Sequence, residues 1–260
     1  MKKIEFTKMV ASGNDFVVIQ GLRTNLSKLA KNICRRSFGI GADGLLVLEK
    51  SKKADMRMRI FNSDGSEAQM CGNGSRCAAY FLGKKRLTLE TKAGILAAFV
   101  KKDNVKIKLS CPSRIKENIV LDIFGRKVKV DFVNTGVPHT VIFVQGLDKI
   151  DVFGIGRLVR YAKIFAPAGT NVDFVEVAGK NIIKLRTYER GVENETLACG
   201  TGSAASALVF ASKSNTSGPI KVHTRGGEIL TISFTKEKNT FKDVWLQGRA
   251  KIVYKGVYYV

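Results

Sequence analysis

The sequence lacks any long apolar run, and this absence limits the classes of protein to which it can belong. Its longest weakly polar stretch, residues 203–212, is about half of the roughly 20 residues that a membrane-spanning helix needs. Lys2 and Lys3 are followed by Glu5 and Lys8 and by no apolar core, so we expect no signal peptide. The 260 residues, 45% hydrophobic and 25% charged, have the composition of a soluble globular protein, which excludes disorder, collagen and coiled coil.

Acidic residues are scarce: 22 Asp and Glu stand against 44 Lys and Arg, which gives a formal charge of +22. Much of the basic excess alternates with apolar residues, as in residues 105–109 and 127–130. Alternation is typical of strands with lysines on one face and the core on the other. The basic residues have no interleaved aromatics of the kind that bind RNA. We therefore interpret the charge as a solvated surface, and polyanion binding stays as an alternative.

Cysteine is present but in no metal-binding pattern. The five cysteines include no Cys-x-x-Cys pair, so a zinc site is not expected. An odd number without an export signal favours free thiols and a cytoplasmic protein. We interpret Cys34, Cys77 and Cys111 as buried structural thiols, which is the usual role of a free cysteine. Cys71 and Cys199 differ, because the motif around each of them is duplicated.

Hydrophobic periodicity predicts many short strands and few helices. We expect one helix over residues 26–35, capped by Asn25, and another over residues 157–164. Two further helices, both rich in small residues, should follow Cys71 and Cys199. Strands are predicted at residues 16–20, 45–49, 56–61, 88–90, 105–109, 141–144, 174–177, 182–188 and 244–246.

The most informative feature is an internal repeat. The segment Met70-Cys71-Gly72-Asn73-Gly74-Ser75 matches Ala198-Cys199-Gly200-Thr201-Gly202-Ser203, 128 positions later. Three other blocks keep the same order and nearly the same spacing: residues 41–47 with 169–175 at offset 128, 59–62 with 186–189 at 127, and 13–16 with 136–139 at 123. Such agreement predicts two similar halves, each about the size of a small domain.

Each repeated Cys-Gly-x-Gly-Ser is predicted to sit at the N-terminus of a buried helix. The uncharged stretch of residues 203–211 should be enclosed on all sides. Free backbone N–H groups and the helix dipole would lower the pKa of Cys71 and Cys199 and could hold a carboxylate. A redox dithiol competes with this interpretation. A single-thiol hydrolase would not explain two equivalent copies. Two symmetric acid–base groups suit the inversion of a carbon centre.

The chain resembles the diaminopimelate epimerases, a family of pyridoxal-phosphate-independent amino-acid epimerases. The resemblance covers almost the whole chain. The motifs that carry it are Lys8-Met9 with Gly13-Asn14-Asp15-Phe16, residues 39–44 (GIGADG), residues 61–67 (FNSDGSE), residues 70–74 (MCGNG), residues 135–139 (TGVPH), residues 169–172 (GTNV) and residues 188–202 (YERGVENETLACGTG).

The resemblance implies an α+β fold of two pseudo-symmetric domains, each a strand-built barrel around a central helix, with the active site in the cleft between them. We place the domains at residues 1–115, joined by a returning strand at 251–260, and at residues 116–250. The implied reaction is the cofactor-independent conversion of L,L-diaminopimelate to meso-diaminopimelate, a step towards lysine and peptidoglycan, with no metal. A homodimer with Tyr254 near its interface is also implied.

The resemblance assigns the site residue by residue. Cys71 and Cys199 are the two acid–base groups, with Cys199 as the acceptor and Cys71 as the donor from the L,L side. Their expected catalytic neighbours are His139, whose alternative is a core histidine, and Glu189, whose alternative with Arg190 is a charged turn. The repeat places Glu189 opposite Asn62, which favours the site. The expected substrate-binding residues are Asn14, Asn62, Gly72, Asn73, Asn171, Glu189, Arg190, Gly200 and Thr201.

Two positions depart from the family pattern. Gly44 stands where many members have glutamine, and Val137 where many have asparagine before Pro-His. Both changes remove a polar side chain and bear on substrate selectivity. A racemase of another amino acid with the same two-thiol mechanism is therefore the nearest alternative. A thiol redox protein and a polyanion-binding protein are the alternatives from other classes.

Overall fold

The protein folds as two compact units. The structure, a computed structural model, describes residues 3–22, 24–238 and 240–260. One unit, here the N-terminal unit, comprises the described residues up to Lys108 together with Gln247–Val260, and the other, the C-terminal unit, is Leu109–Leu246. The predicted boundaries, at 115/116 and 250/251, lie a few residues C-terminal to these.

The N-terminal unit contains two helices among its strands. The helices are α1 (Leu26–Ile33) and α2 (Gly72–Leu82). The strands are β1 (Lys3–Ala11), β2 (Asn14–Gln20), β3 (Gly44–Glu49), β4 (Met56–Asn62), β5 (Glu67–Ala68), β6 (Arg86–Thr91), β7 (Gly94–Lys101), β8 (Asn104–Lys108) and, from the end of the chain, β18 (Lys251–Tyr259).

The C-terminal unit repeats this composition. Its helices are α3 (Val152–Arg160) and α4 (Gly200–Ser214), and two short 3-10 turns lie at Leu147–Lys149 and Lys163–Phe165. The strands are β9 (Lys116–Ile123), β10 (Arg126–Asn134), β11 (Pro138–Phe143), β12 (Asn171–Gly179), β13 (Ile182–Glu189), β14 (Asn194–Thr196), β15 (Ile220–Thr224), β16 (Ile229–Glu237) and β17 (Thr240–Arg249), which begins in this unit.

The two units pair their strands in the same order. In the N-terminal unit the ladder runs β18-β1-β2-β3-β4-β6-β7-β8, with parallel pairs at β2–β3 and β4–β6. In the C-terminal unit it runs β9-β10-β11-β12-β13-β15-β16, with parallel pairs at β11–β12 and β13–β15. The last strand, β18, therefore holds in one unit the place that β9 holds in the other. The predicted return of the chain end to the first domain is confirmed.

One helix lies at the centre of each unit. Helix α2 contacts β1, β2, β3, β4, β6, β7, β8 and β18, and helix α4 contacts β10, β11, β12, β13, β15 and β16. Residues 202–211 of α4 are all buried, as the absence of charge predicts. Both helices end at a left-handed residue, Gly83 after α2 and Asn215 after α4. The expected α+β fold of strand-built domains around central helices is confirmed.

The strand registers correct one block of the sequence repeat. Phe16 pairs with Gly44, and His139 pairs with Asn171. Since Phe16 and His139 are equivalent in the repeat, Gly44 is equivalent to Asn171 at offset 127. The offset of 128 proposed for residues 41–47, which would match Gly44 with Val172, is wrong by one residue. Side chains alternate along a strand, so this shift changes which residues share a face.

The outer helices differ in part from their predictions. Helix α1 begins after Asn25, whose Oδ1 accepts the Lys28 N–H at 3.0 Å as predicted, but ends at Ile33. Helix α3 runs over Val152–Arg160 rather than over residues 157–164. The N-cap of α3 is Asp151, which was not among the predicted caps and which accepts the Gly154 N–H at 2.9 Å. The residues after Arg160 form a separate 3-10 turn.

Most predicted strands are confirmed with ends shifted by one to four residues. The lysines of residues 105–108 and 127–130 lie on the more exposed face of β8 and β10, opposite Val105, Ile107 and Val130, as the alternation predicts. In the described part of the chain, no helix has the length and apolar character needed to cross a membrane.

Candidate functional site

The two motif cysteines hold the same position in their units. Cys71 caps α2 and Cys199 caps α4, each in an extended backbone conformation. Cys71 Sγ accepts the N–H of Gly74 at 3.5 Å, and Cys199 Sγ accepts the N–H of Gly202 at 3.3 Å. A cap side chain that accepts from the third helical residue satisfies one of the free N–H groups of the first turn. The predicted placement of both thiols at helix N-termini is confirmed.

The first turns of both helices also offer backbone donors. Gly72 and Asn73 open α2, and Gly200 and Thr201 open α4. Their N–H groups have no partner within the helix, because the first four N–H groups of a helix point away from its carbonyls. Together with the positive end of the helix dipole, they suit an anionic group such as a carboxylate.

The surroundings of Cys199 contradict one expectation from the sequence. Burial raises the pKa of the Cys199 thiol well above its ordinary value, and the charges of Glu189 and Asp173 raise it further. Hydrogen bonds from Thr201 and Gly202 oppose these effects but do not overcome them. The expectation that a helix N-terminus lowers this pKa is wrong for Cys199, because burial and two nearby carboxylates outweigh the helix.

A buried acid–base group packs beside Cys199. His139 Nδ1 lies 2.7 Å from Asp173 Oδ2, and the Thr187 hydroxyl donates to Asp173 Oδ1 at 2.7 Å. Both His139 and Asp173 are 0% exposed. No hydrogen-bond partner for the buried Nε2 of His139 is found among the described residues. His139 is thus a core residue, and besides burial it is its partner Asp173 that raises the pKa of the Cys199 thiol.

Glu189 belongs to the same cluster. It ends strand β13, and its Oε2 accepts the Thr196 hydroxyl at 3.0 Å. Burial raises the pKa of Glu189, and the charge of Asp173 also raises it, while the Thr196 hydrogen bond opposes these effects. Glu189 therefore combines burial with a carboxylate that only one hydroxyl contacts among the described hydrogen bonds. A cationic group bound next to this carboxylate would stabilise its ionised form.

Asn171 and Arg190 are engaged with the backbone in this structure. Asn171 Nδ2 donates to the Pro138 carbonyl at 2.9 Å, and Asn171 Oδ1 accepts the Arg190 N–H at 2.8 Å. The Arg190 guanidinium donates to the Ala168 carbonyl at 3.2 Å. Each amide end of Asn171 keeps one further hydrogen-bonding position. Asn171 thus joins β11 to the turn that carries Arg190 and keeps capacity for a ligand.

The predicted asparagines of the N-terminal unit form two groups. Asn73 Nδ2 donates to Asn14 Oδ1 at 2.6 Å, and Asn14 Nδ2 donates to Asp43 Oδ2 at 3.0 Å. Asn73 Oδ1 accepts from the fully buried Arg76 guanidinium at 2.6 Å. Asn62 is separate, exposed at the end of β4, where its amide donates to Ser66 Oγ at 2.9 Å.

The side chains packed against Gly74 in the first turn of α2 are apolar, whereas the one packed against Gly202 in the first turn of α4 is a carboxylate. Gly74 lies against Leu46 and Phe16: a Cβ added there would meet Leu46 Cδ2 at 3.1 Å and the Phe16 ring at 3.6 Å. By the strand registers, Phe16 is equivalent to His139 and Leu46 to Asp173. Each central helix therefore begins over two strand residues that are apolar in one unit and ionisable in the other.

Comparison with known proteins agrees with the motifs and the fold. The sequence profile of the family described as diaminopimelate epimerase matches residues 6–113 and 132–253, most of the chain. The chain belongs to the diaminopimelate epimerase family. Its members are isomerases of the epimerase class, and the predicted family membership is confirmed.

Individual relatives match along the whole length. The diaminopimelate epimerase of Aquifex aeolicus (strain VF5) is 41% identical over 274 residues, covering 97% of this chain and 97% of that protein. The diaminopimelate epimerase of Archaeoglobus fulgidus is 42% identical over 278 residues, covering 98% and 96%. Among solved structures, a phenazine biosynthesis protein of the PhzF family from Bacillus anthracis superposes with a TM-score of 0.75 over all of both chains. Its 19% identity indicates a shared fold only.

One departure from the diaminopimelate epimerase pattern has a steric cause. A Cβ at Gly44 would lie 2.9 Å from the Phe61 carbonyl oxygen and 3.4 Å from the Phe16 ring. A glutamine at this position would force β3 and β4 to shift, so the close packing of these strands favours glycine here. At the second departure, Val137 presents its carbonyl to the Thr135 N–H at 3.1 Å.

The remaining cysteines divide by exposure. Cys34 and Cys77 are buried, and burial raises the pKa of Cys34 to about 12, as suits a structural thiol. Cys111 is exposed, so its interpretation as a buried structural thiol is wrong. It precedes Pro112 in a segment without regular structure, which leaves no packed layer to cover it.

The sequence analysis missed Asp173. The signal was present, because Asp173 is the acidic residue of an otherwise apolar run, Val172 to Val175, and a buried strand rarely holds an unpaired carboxylate. Within the described residues, no group of three or more His, Cys, Asp or Glu side chains has an arrangement suited to a metal ion.

Proposed function

We propose that the protein interconverts L,L- and meso-diaminopimelate by removing a proton from one face of the α-carbon and adding one to the other, with Cys71 and Cys199 as the two acid–base groups. The observation that carries this proposal is the duplicated cap: one thiol begins the central helix of each unit, with the same hydrogen bond to the third helical residue. The family of the chain and its full-length relatives support the choice of substrate.

The substrate carboxylate is expected at the first helical turns. The N–H groups of Gly72, Asn73, Gly200 and Thr201 would donate hydrogen bonds to it, and they would stabilise the greater negative charge that develops as the α-proton leaves. The α-ammonium is expected at Glu189, whose buried carboxylate has one hydroxyl partner among the described hydrogen bonds. Arg190, Asn14, Asn62 and Asn171 would bind the remaining polar groups.

The protonation states of the two thiols differ between the reaction of the L,L isomer and that of the meso isomer. In the unliganded protein the thiol of Cys199 keeps its proton, since burial and then Glu189 and Asp173 raise its pKa. A substrate ammonium at Glu189 would neutralise one of these charges and make the thiolate easier to form. Once the Cys199 proton has left to solvent, the thiolate accepts the α-proton from the L,L isomer while the Cys71 thiol donates its own proton, and the roles reverse from the meso isomer.

The decisive experiment follows α-deuteration in heavy water. The full-length protein is incubated with L,L-diaminopimelate without added pyridoxal phosphate, and deuterium at the α-carbon is followed by NMR together with the appearance of the meso isomer. We expect deuterium to accumulate in the inverted product. Absence of α-exchange under conditions in which the protein is folded would refute the proposed reaction.

The same assay separates the alternatives. A racemase of another amino acid would exchange the α-proton of that amino acid faster than that of diaminopimelate, which a panel including glutamate and proline would reveal. A thiol redox protein would cycle a Cys71–Cys199 disulfide without exchange. A polyanion-binding protein would show salt-dependent retention on nucleic acid without exchange.

We further infer a homodimer through strand β18. Val253, Tyr254 and Val257 are 55%, 44% and 44% exposed on this strand, an unusual concentration of apolar surface. Tyr254 also packs edge-on against Phe6, with ring centroids 5.7 Å apart. A Tyr254→Lys variant should sediment as a monomer where the wild type sediments as a dimer, and an unchanged mass would refute this interface. The five free cysteines support a cytoplasmic location.

A further inference from the structure

Asp173 links the buried histidine of this cluster to the first turn of α4. One carboxylate oxygen lies 2.7 Å from His139 Nδ1, and the other accepts the Thr187 hydroxyl at 2.7 Å. The carboxylate also packs on the first turn of α4, where a Cβ added at Gly202 would lie 2.5 Å from Asp173 Oδ1 and 3.2 Å from Cys199 Cβ. Gly202 is the residue whose N–H caps the thiol. Asp173 therefore contacts the histidine and the thiol cap together.

The hydrogen bonds of this cluster fix the histidine. A carboxylate oxygen can only accept, so the hydrogen of the neutral His139 ring lies on Nδ1. Nε2 is then a bare acceptor, and it is buried with no hydrogen-bond partner among the described residues. A buried acceptor without a partner is costly, and it is tolerated where a ligand or a proton completes it.

The N-terminal unit shows that the fold does not require this cluster. Leu46 and Phe16 occupy the equivalent positions beneath α2, and Cys71 is capped by Gly74 just as Cys199 is capped by Gly202. An apolar pair is therefore sufficient to support the helix. The buried Asp173–His139 pair has a cost of desolvation that its apolar counterpart lacks.

We propose that Asp173 is a positioning residue of the Cys199 half of the site: it holds His139 in the Nδ1–H tautomer with Nε2 bare, and it places a carboxylate against the first turn of the helix that Cys199 caps. The two thiols are thereby made different although their backbones are alike. The assignment of Cys199 as an acid–base group rests on the proposed function; the effect of Asp173 on the thiol and on the imidazole does not.

Few other charged groups bear on Cys199. Glu189 acts on it from β13. His139, on β11, belongs to the cluster through its contact with Asp173. Strand β15 turns Ile220, Val222 and Thr224 inward. The charges that β10 and β16 bring to α4 act at its far end, where Asp131 pairs with Lys213 at 3.0 Å and Lys236 donates to the Ala211 carbonyl at 3.0 Å.

The test measures each thiol and the imidazole in Asp173→Asn, an isosteric variant without the charge. Alkylation by iodoacetamide is followed by peptide mass spectrometry across a range of pH, which gives a midpoint for Cys199 and, as an internal control, for Cys71. Thr187→Val is the matched control that removes a hydrogen bond from Asp173 but keeps the carboxylate. The ¹⁵N shifts of His139 report its tautomer, and a His223→Gln variant assigns the signals, because the chain has two histidines.

We expect Asp173→Asn to lower the Cys199 midpoint by about one pH unit or more, to leave Cys71 unmoved and to abolish the single tautomer of His139. Thr187→Val should retain most of the wild-type midpoint. An unmoved Cys199, or equal shifts of both thiols, would overturn the proposal. So would an Nε2–H tautomer in the wild type, a result that needs no variant to fold. Neither readout uses substrate, so deuteration of diaminopimelate by the wild type tests the proposed reaction separately.

Discussion

The two units of the protein have the same thiol cap, but different side chains pack beneath the helix that each thiol begins. Cys71 begins α2 above Phe16 and Leu46, whereas Cys199 begins α4 above His139 and Asp173. The capping hydrogen bonds are nearly equal in length, so the backbone device is the same in both. The charge beneath it is not. The comparison teaches that a helix N-terminus positions a thiol, while the groups packed under that terminus decide its proton affinity.

The largest expected effect tests what the two units share. Cys71→Ala and Cys199→Ala should each lower the rate of epimerisation by at least about 10²–10⁴-fold, since each removes an acid–base group from one face of the α-carbon. The fold should persist, because each substitution removes a single sulfur atom and leaves the central helix packed among its strands. Turnover of both isomers and circular dichroism are the measurements. A single variant with near-wild-type turnover would contradict the two-thiol mechanism.

A matched pair of glycines, one in the first turn of each central helix, tests the difference between the side chains packed beneath the two helices. A Cβ at Gly202 would meet Asp173 Oδ1 at 2.5 Å, whereas one at Gly74 would meet the end of the flexible Leu46 side chain at 3.1 Å. Gly202→Ala should therefore lower the free energy of unfolding by about 1–3 kcal/mol through overpacking. Gly74→Ala should be close to neutral, because the gain in helix propensity of about 1 kcal/mol offsets a small rearrangement. Denaturant unfolding of both variants checks this order, and equal effects would contradict it.

A second matched pair is the arginine–glutamate contact that both units contain. Arg59 Nε donates to Glu67 at 2.8 Å, and Arg186 Nε donates to Glu195 at 2.7 Å. Arg186 also donates to the carbonyls of Leu147 and Ile150 at 2.9 and 3.1 Å, which holds the turn before α3.

Arg186→Lys should therefore cost about 2 kcal/mol of unfolding free energy, against about 1 kcal/mol or less for Arg59→Lys. Thermal unfolding of the two variants under one set of conditions gives the comparison. If Arg59→Lys proved the more damaging, the extra carbonyl contacts of Arg186 would not contribute as described.

The smallest effect depends on pH. The hydrogen bond from Arg59 lowers the pKa of Glu67 to about 2, although burial opposes it. Because the folded state has the lower pKa, this contact stabilises the fold above the ordinary glutamate pKa and loses its effect as pH falls through about 2. Glu67→Gln should thus lower the melting temperature near neutral pH and change it little near pH 2. A difference that is equal at both pH values would show that the charge plays no part.

Prediction from sequence succeeded where the information is local. The cap at Asn25 and the buried α4 follow from neighbouring residues, and the structure confirms them. Helix α3 was misplaced because its cap, Asp151, precedes a segment with two glycines that weakens the helical pattern. The repeat offset at residues 41–47 is wrong by one residue because similarity of residue type does not fix the strand register.

The sequence by itself determined the repeat, the two thiols at helix N-termini and the family, because these depend on the order of residues and on local propensity. Tertiary structure alone decided that Asp173 contacts His139 and packs on Gly202, and that burial raises the pKa of the Cys199 thiol. It also decided that the last strand completes the first unit. The physical reason is that proton affinity and strand pairing depend on groups far apart in the chain, whose distance and burial exist only once the chain has folded.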